Sequence, residues 1–496
     1  MNISEGKNLA SASAYFFAYL CALLALPVHS QTAPSAQQRM QAVQSHLSRY
    51  VIIRGSNNDD MNLDSQMKAL GVPAVSIAAI RNGAIDWARA YGVSSLGGAS
   101  ISTDTLFGAA SISKPVTALG VLKLVEDGQI DLDANVNQYL KRWKIPDNQF
   151  TERQKVTVRE LLNHTSGIGT HNGEIYDPNS PIPTLLQVLE GEKPARTPPV
   201  RVEAIPGTKF AYSNGGYLVL SLLIEDVTGQ SFEAYMKRAV LDPIGMKRST
   251  FASPLPLEWR ASAATGYGAD GKYPVPPSKF VEPNLAAGGL WSTPTDLARF
   301  LLEVQRECDG KSHKVLHQQT IRMMVSPDNG IPSPRRYGLG LEVGGSSDNP
   351  YIRHEGSAYF QDDMVEYLHG NGIVLMTSGG GGGELADEVI RSAGTVYDFP
   401  DFKSIEHSVT DIPASNLRAY VGTYAYIKVA LEGDHLTAEI PSGSPPAPLY
   451  PESSTRFFIL DGPQELSFLL DSQGNTTGVE FITPMGHHQL DKSPAH

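Results

Sequence analysis

The sequence Phe107-Gly108-Ala109-Ala110-Ser111-Ile112-Ser113-Lys114 decides how this chain is interpreted, because it places two reactive side chains at the start of a helical pattern. After it, apolar residues recur at every third position: Val116, Leu119, Leu122 and Val125. That period predicts a helix over 111–128, and Gly128 is typical of a residue that ends one. Pro115 is compatible with the first helical turn, where its missing N–H is not needed.

Ser111 and Lys114 are three residues apart, a spacing that puts two helical side chains on one face, about 5–6 Å apart at Cβ. A serine hydroxyl is a weak nucleophile until a neighbouring base takes its proton. A lysine becomes such a base when desolvation or nearby positive charge lowers its pKa. Backbone N–H groups at a helix N-terminus can also stabilise an oxyanion. The spacing alone is common, and its alternative interpretation is a capped helix with a solvated lysine.

A second element lies in the loop before the apolar, helix-like run at 218–224. Tyr212 and Asn214 are two residues apart, which suits a loop that presents both side chains to one cleft. A tyrosine beside a lysine ammonium ionises more easily and can relay protons, and an asparagine both donates and accepts hydrogen bonds. Alone, this pair is more typical of ordinary loop residues.

A third element is the strand-like stretch His354-Glu355-Gly356-Ser357. Gly356 permits a substrate to approach the backbone closely, and the N–H of Ser357 can supply a second oxyanion donor. Glu355 has two interpretations. It pairs with a substrate amine if it faces the cleft, and it is a solvated strand residue if it faces away.

In this order and spacing, the three elements resemble those of the class C β-lactamases, the penicillin-binding DD-peptidases and their esterase and D-aminopeptidase relatives. Residues 161–167, 206–207 and 287–297 resemble further stretches of that family. The resemblance covers about residues 45–395. Residues 413–496 resemble the lipocalin-like barrel that some members append, through the stretch at 417–424.

The resemblance implies an α/β (α+β) fold, with an antiparallel sheet flanked by helices and a small all-β barrel at the C-terminus. Short strand-like runs separated by Gly, Pro, Asn and Asp after residue 413 also favour an all-β unit. We therefore predict four segments, which are a signal peptide at 1–30, a catalytic domain at 31–398, a linker at 399–412 and the barrel at 413–496.

Patterns elsewhere predict a helical region over 36–70, a hairpin over 73–91 around Asn82-Gly83, and strands between 337 and 378, the first of them at 337–343. Because these strands lie at both ends of the main region with helices between them, we expect one domain closed by its own termini. The glycine run at 379–383 lacks the Lys-Ser/Thr of a phosphate-binding loop, and it predicts a turn before a helix near 384–396.

By position, the resemblance implies that Ser111 forms an acyl-enzyme, and that Lys114 and Tyr212 share the acid–base work. It implies that Asn214 holds Lys114 and the substrate amide. It also implies that the N–H groups of Ser111 and Ser357 form the oxyanion hole. The reaction so implied needs no metal and no cofactor.

His354, Gly356 and Ser357 correspond to the substrate-binding strand, and here the sequence departs from the β-lactamases. His354 stands where they carry a lysine that binds the substrate carboxylate, and Glu355 stands where they carry a threonine. A histidine is only partly charged near neutral pH. The departure favours peptides or esters over β-lactams.

Three functions remain open at this point. The first is a peptidase or amidase on small peptides, including those with D- or non-standard residues. The second is a carboxylesterase of short acyl esters, and the third is an acylatable sensor of cell-wall peptides or a weak β-lactamase. We expect substrate choice to depend on loops at about 168–200 and 250–285, and on the C-terminal barrel if it covers the cleft.

The formal net charge of −12, with no long run of one sign, argues against nucleic acid or an anionic membrane as a partner. Lys7, an apolar run at about 14–27 and the small residue Ser30 have the order of a secretory signal peptide, with an uncleaved anchor as the alternative. We expect a periplasmic or secreted protein without a membrane span after signal removal. Its one remaining cysteine, Cys308, allows no intramolecular disulfide. The oligomeric state is left open.

Overall fold

The computed structural model describes residues 33–56, 61–171, 173–268, 271, 273–327, 336–440, 446–484 and 486–493. The predicted signal peptide at 1–30 therefore lies outside the described residues. Within the described ranges, no helix combines the length and the apolar character that crossing a membrane requires.

The described strands form a central sheet, a C-terminal sheet and three two-stranded pairs. In chain order they are β1 (Val51–Ile53), β2 (Ala74–Arg81), β3 (Ala84–Gly92), β4 (Phe107–Gly108), β5 (Gly266–Tyr267), β6 (Pro274–Val275), β7 (Trp291–Ser292), β8 (Glu342–Ser346), β9 (Asn349–Ser357), β10 (Phe360–Tyr367), β11 (Asn371–Ser378), β12 (Ile405–His407), β13 (Gly422–Tyr424), β14 (Ile427–Glu432), β15 (His435–Glu439), β16 (Ala447–Pro451), β17 (Arg456–Phe458), β18 (Glu465–Leu470), β19 (Thr476–Thr483) and β20 (Gly486–Asp491).

The central sheet has the order β3-β2-β11-β10-β9-β8, and all its neighbouring pairs are antiparallel. Its early strand β2 lies beside its late strand β11, with Ala74 opposite Ser378. This arrangement confirms the predicted α/β fold closed by its own termini. The predicted hairpin is also present, since Asn82 and Gly83 both take the positive φ that such turns need. The strand predicted at 337–343 begins later, at Glu342.

Most helices pack on the two faces of the central sheet, whereas the last one packs in the core of the C-terminal sheet. In chain order they are α1 (Ala36–Ser45), α2 (Leu63–Ala69), α3 (Ser113–Glu126), α4 (Val158–Leu162), α5 (Leu185–Glu190), α6 (Asn214–Thr228), α7 (Phe232–Met236), α8 (Asp242–Ile244), α9 (Leu257–Arg260), α10 (Leu285–Gly288), α11 (Pro294–Cys308), α12 (Gln318–Met324), α13 (Gly382–Tyr397) and α14 (Ala414–Leu417).

Successive side chains of β2 point to opposite faces of the sheet, and each face has its own apolar core. Ala78 and Ile80 belong to the larger core, which contains α3, α6 and α11. Val75 and Ile77 belong to the smaller core, with α1, α2 and α13. The predicted helix over 111–128 is therefore α3, and it is buried because it lies in the middle of the larger core.

The helical region predicted over 36–70 is only partly confirmed, because strand β1 separates helix α1 from helix α2. The β-branched residues Val51-Ile52-Ile53 favour extended backbone, and they pair in parallel with β12. The stretch predicted as a linker, 399–412, thus contains a strand that is fastened to the N-terminal part of the chain. Local sequence could not show this pairing, since the two strands are far apart along the chain.

The C-terminal sheet pairs β13 to β20 in consecutive order, and each pair is antiparallel. A bridge between Tyr424 and Lys492 brings its two ends together, which leaves a nearly closed barrel. This confirms the predicted all-β unit. Strand β16 was not foreseen, because Pro448 and Pro451 weaken its strand pattern.

Candidate active site

Ser111 lies on a sharp turn between strand β4 and helix α3. The backbone of Leu290 holds the turn on both sides. Its carbonyl accepts from Ala109 N at 2.8 Å, and its N–H donates to Ser113 Oγ at 2.9 Å. Between these bonds Ala110 has a φ of 43°, a left-handed conformation that costs a non-glycine residue about 1–3 kcal/mol. The turn leaves Ser111 in the wall of an open cleft, whereas Ser113 is fully buried.

Lys114 is fully buried directly beside Ser111. Its Nζ lies 2.8 Å from Ser111 Oγ and donates to the Ala287 carbonyl at 3.1 Å. The Nζ atom also lies 4.7 Å from the centroid of the Tyr212 ring. Burial lowers the pKa of Lys114 to about 7, so a substantial fraction of the amine is neutral at physiological pH. The pair is arranged for a lysine amine to take the proton of a serine hydroxyl.

Tyr212 and Asn214 flank Ser213, which caps helix α6 by accepting from Gly216 N at 3.2 Å. The cap fixes the loop so that Asn214 lines the cleft while Tyr212 lies against Lys114. The resemblance implied that Asn214 holds Lys114. Among the described hydrogen bonds, none joins the Asn214 and Lys114 side chains. Lys114 Nζ donates to the Ala287 carbonyl instead.

His164 packs against Tyr212, and apart from its place in the family-like stretch 161–167 no sequence pattern marks it as a site residue. It is buried, with a φ of 61°, and its ring lies 4.2 Å from the Tyr212 ring. Its Nδ1 accepts from Ser213 N at 3.1 Å, which puts the ring proton on Nε2. Burial, together with the nearby charges of Lys114 and His354, holds the pKa of His164 well below its usual range. His164 is therefore a neutral support.

Strand β9 forms the opposite wall of the cleft, and Ser357 at its end lines the cleft beside Ser111. His354 is only 4% exposed, and both of its ring nitrogens are engaged. Its Nδ1 donates to the Glu355 carbonyl at 2.7 Å, and its Nε2 lies 2.9 Å from the Tyr337 hydroxyl. The His354 ring thus packs in an aromatic cluster with Tyr212 and Tyr337. His354 is not among the described residues that line the cleft.

Glu355 points to the other face of the sheet. Its carboxylate pairs with Arg353 at 2.9 Å and is 43% exposed. Arg353 in turn pairs with Asp363, and Asp387 of helix α13 lies 3.7 Å away. Of the two interpretations of Glu355, the structure favours the one in which it faces away from the cleft.

Gly356 brings β9 against the nucleophile turn, and its replacement by alanine is expected to separate them. A Cβ at this position would lie 2.5 Å from the Ala109 carbonyl, so one backbone must move. A displacement of about 1 Å at a reacting centre can cost roughly 100-fold in rate. We expect Gly356→Ala to lower kcat/KM by about that factor and the melting temperature by several degrees, measured by steady-state kinetics and thermal unfolding.

The matched control for Gly356→Ala is Gly383→Ala, in the first turn of α13. A Cβ there meets only Gln361 Oε1, at an ordinary 3.8 Å. Unchanged kinetics in Gly356→Ala would show that the close approach of β9 to the turn has no functional role.

The cleft has a volume of about 770 Å³. Both loops that were expected to set substrate choice contribute to it, the first through Glu174 and Arg196 and the second through Phe280 and Glu282. Glu174 and Arg196 pair with each other at 2.8 Å. The cleft-lining residues that the structure describes include none from the C-terminal barrel.

Glu282 is the functional candidate that the sequence did not reveal. Its carboxylate is buried in the cleft wall, and burial raises its pKa to about 8. In the sequence it stands in a loop before Pro283, where a glutamate is normally solvated. No local pattern distinguishes it, because its burial depends on segments that the fold brings together.

Comparison with known proteins agrees with this architecture. The sequence profile of the family described as Beta-lactamase matches residues 60–394. Penicillin-binding protein 4* of Bacillus subtilis (strain 168) is 26% identical over an alignment of 422 positions, which covers 77% of this chain and 86% of that protein.

Solved structures show the same fold. The octameric penicillin-binding protein homologue from Pyrococcus abyssi aligns with a TM-score of 0.60 and 22% identity, over 86% of this chain and 98% of that chain. The D-alanine carboxypeptidase AmpC from Burkholderia cenocepacia aligns with a TM-score of 0.53 and 21% identity, over 72% of this chain and 99% of that chain.

Proposed function

The chain belongs to the β-lactamase family of serine hydrolases, and from that membership we propose that it is an exported peptidase or amidase acting on small peptides through an acyl-enzyme at Ser111. The observation that carries the proposal is the 2.8 Å contact between Ser111 Oγ and Lys114 Nζ. A fully buried lysine next to a cleft-lining serine is the pairing that turns a hydroxyl into a nucleophile.

In the proposed reaction Ser111 Oγ attacks the carbonyl carbon of the scissile amide, while Lys114 Nζ takes the hydroxyl proton. The carbonyl oxygen gains the electron pair, and the N–H groups of Ser111 and Ser357 stabilise it. When the intermediate collapses, the C–N bond breaks and the leaving nitrogen receives a proton through Lys114 and Tyr212. A water molecule then attacks the acyl ester, and the serine hydroxyl is restored.

Asn214 is proposed to bind the substrate amide during this sequence. It stands at the N-terminus of helix α6 and lines the cleft together with Ser111. Its side-chain amide can donate to a substrate carbonyl and accept from a substrate N–H. Strand β9 pairs with β8 as far as Arg353 and with β10 as far as Ser357, and its backbone near Gly356 would bind the other side of an extended peptide.

Peptides are favoured over β-lactams because of His354. A lysine at that position would offer a fixed charge to a substrate carboxylate, whereas this imidazole is buried and bonded to Tyr337. Arg196 also lies in the cleft, but Glu174 neutralises it. Similarity to a penicillin-binding protein and to a D-alanine carboxypeptidase also supports peptide chemistry. Export is proposed from the signal-like order of residues 1–30.

A substrate panel tests the proposal. Purified protein would be assayed with D- and L-alanyl p-nitroanilides, a peptide ending in D-alanyl-D-alanine, p-nitrophenyl esters and a chromogenic cephalosporin. We expect kcat/KM for the best anilide or peptide to exceed that for the cephalosporin by roughly 100-fold, the scale of a lost charge-assisted contact of about 3 kcal/mol.

Two results would overturn the proposal. Turnover of esters alone would make the protein a carboxylesterase. Accumulation of an acyl adduct without turnover, detected by intact-mass spectrometry, would make it an acylatable sensor.

A further inference from the structure

Two side-chain acceptors in the cleft wall lack a side-chain donor among the described residues. Glu282 is 8% exposed, and among the described groups its carboxylate accepts a hydrogen bond from the backbone N–H of Asn284 alone, at 2.9 Å. Asn284 is 4% exposed, and its buried Oδ1 has no hydrogen-bond partner within the part of the chain that the structure describes. Both residues line the same cleft as Ser111. Buried acceptors of this kind are costly unless a donor reaches them.

The two described cations in this part of the cleft, Lys114 and Arg196, are already engaged. Lys114 is attracted by the charge of Glu282, but its Nζ is bonded to Ser111 Oγ and the Ala287 carbonyl. Arg196 pairs with Glu174 and donates to the Ile175 carbonyl at 2.5 Å. Burial is the largest cause of the rise in the pKa of the Glu282 carboxyl to about 8, and it outweighs the attraction to Lys114. A positively charged ligand beside Glu282 would offset the free-energy cost of burying its ionised carboxylate.

The space beside the carboxylate is kept open by two glycines. A Cβ placed on Gly173 would lie 3.7 Å from Glu282 Oε2, and one placed on Gly288 would lie 3.8 Å from the same atom. Gly288 directly follows Ala287, whose carbonyl holds Lys114. The open side of the carboxylate is therefore next to the catalytic centre proposed above.

We propose that Glu282 and Asn284 form an ammonium-binding subsite in the cleft, and that the preferred substrates are peptides or amino acid amides with a free amino group. This inference rests on the proposed peptidase function and names its substrate class. A primary ammonium supplies three N–H donors and one positive charge, which match the cleft-lining Glu282 carboxylate that the backbone N–H of Asn284 holds in place. Glu355, the carboxylate for which the sequence suggested this role, lies on the other face of the sheet.

The test compares free and blocked amines. The alanyl and alanyl-alanyl p-nitroanilides of either configuration would be assayed beside their N-acetylated counterparts, on wild type and on Glu282→Gln. We expect wild type to prefer the free amines, and Glu282→Gln to lower kcat/KM for them by about 10- to 100-fold, the range of one charge-assisted hydrogen bond. Rates on the N-acetylated substrates should change about twofold or less.

Comparison with blocked substrates also controls for an effect on Lys114. The charge of Glu282 raises the pKa of Lys114, and an effect of Glu282→Gln that acted through this pKa alone would alter both substrate series to the same extent. The matched control variant is Glu355→Gln, which removes a carboxylate outside the cleft and should leave both series unchanged. Equal loss on free and blocked amines in Glu282→Gln, or no wild-type preference, would overturn the subsite.

A binding measurement separates failure of this inference from failure of the proposed function. Isothermal titration calorimetry would compare alanyl-alanyl p-nitroanilide with its N-acetylated form on Ser111→Ala and on Ser111→Ala/Glu282→Gln. Tighter binding of the free amine by about tenfold, lost in the double variant, supports the subsite even if wild type hydrolyses no peptide. Equal or absent binding of the two ligands would refute it even if peptides are hydrolysed.

Discussion

Ser111→Ala is expected to abolish hydrolysis, with a loss in kcat of about 10⁴- to 10⁶-fold on the best substrate of the panel. The reason is that Ser111 carries the cleft-lining hydroxyl that the buried amine of Lys114 contacts, at 2.8 Å. Ser113, the other serine of the motif, is buried and accepts from Leu290 N at 2.9 Å. The covalent adduct formed with a fluorophosphonate or a slow substrate should also disappear from the intact-mass spectrum.

The matched control for Ser111→Ala is Ser113→Ala. That variant leaves Leu290 N without its acceptor, which costs about 1–3 kcal/mol of stability, but it keeps the nucleophile and should still form the adduct. Hydrolysis by Ser111→Ala at the wild-type rate would refute the assignment of the nucleophile and the mechanism built on it.

Residue spacing was informative wherever local geometry determines position. Ser111 and Lys114 meet because the 3-10 turn Ala110–Ile112 leads directly into α3, so that residues three apart still lie on one face, and their contact is observed at 2.8 Å. Tyr212 and Asn214 reach one region because a single capped loop carries both. In each case the distance along the chain is short, so the sequence alone constrains the distance in space.

The alternation of side chains along β9 indicates that Glu355 does not face the cleft. Gly356 approaches the Ala109 carbonyl, so its face of β9 is the one that meets the nucleophile turn. Neighbouring side chains on a strand point to opposite faces, and Glu355 must then point away. The observed ion pair with Arg353 agrees with this geometry.

Other features depend on segments that meet only after folding. The Ala287 carbonyl that holds Lys114 comes from helix α10, and the Tyr337 hydroxyl that binds His354 comes from outside strand β9. Glu282 is likewise buried by segments that are distant from it along the chain. The sequence shows which titratable groups are present, but their pKa values depend on how far the packed structure removes each group from water.

Lys114→Met is expected to lower kcat/KM by about 10²- to 10⁴-fold, the usual contribution of a general base. Methionine fills a similar volume but cannot take the proton from Ser111 Oγ. In wild type, kcat/KM should rise with pH through about 7, because the protonated amine cannot accept a proton. This limb should be absent from the profile of Lys114→Met, measured between about pH 5.5 and 9.

Stability provides a second readout with a defined sign. The pKa of Lys114 is lowered from 10.5 to about 7 in the folded protein, so the unfolded state binds more protons between these values. Wild-type stability from this group therefore rises with pH across that window, and below about pH 7 the folded state carries the full cost of a buried charge. Lys114→Met removes that cost, and its melting temperature at pH 6 should equal or exceed that of wild type.

The control for Lys114→Met is Lys123→Met on the same helix, where the lysine is partly exposed and pairs with Asp127. It should retain wild-type kinetics and the wild-type pH profile. Near-complete loss of activity together with an undiminished melting temperature would assign Lys114 to chemistry, since a merely structural lysine would lower both. Activity in Lys114→Met within about tenfold of wild type would contradict its role as the base and shift that role to Tyr212.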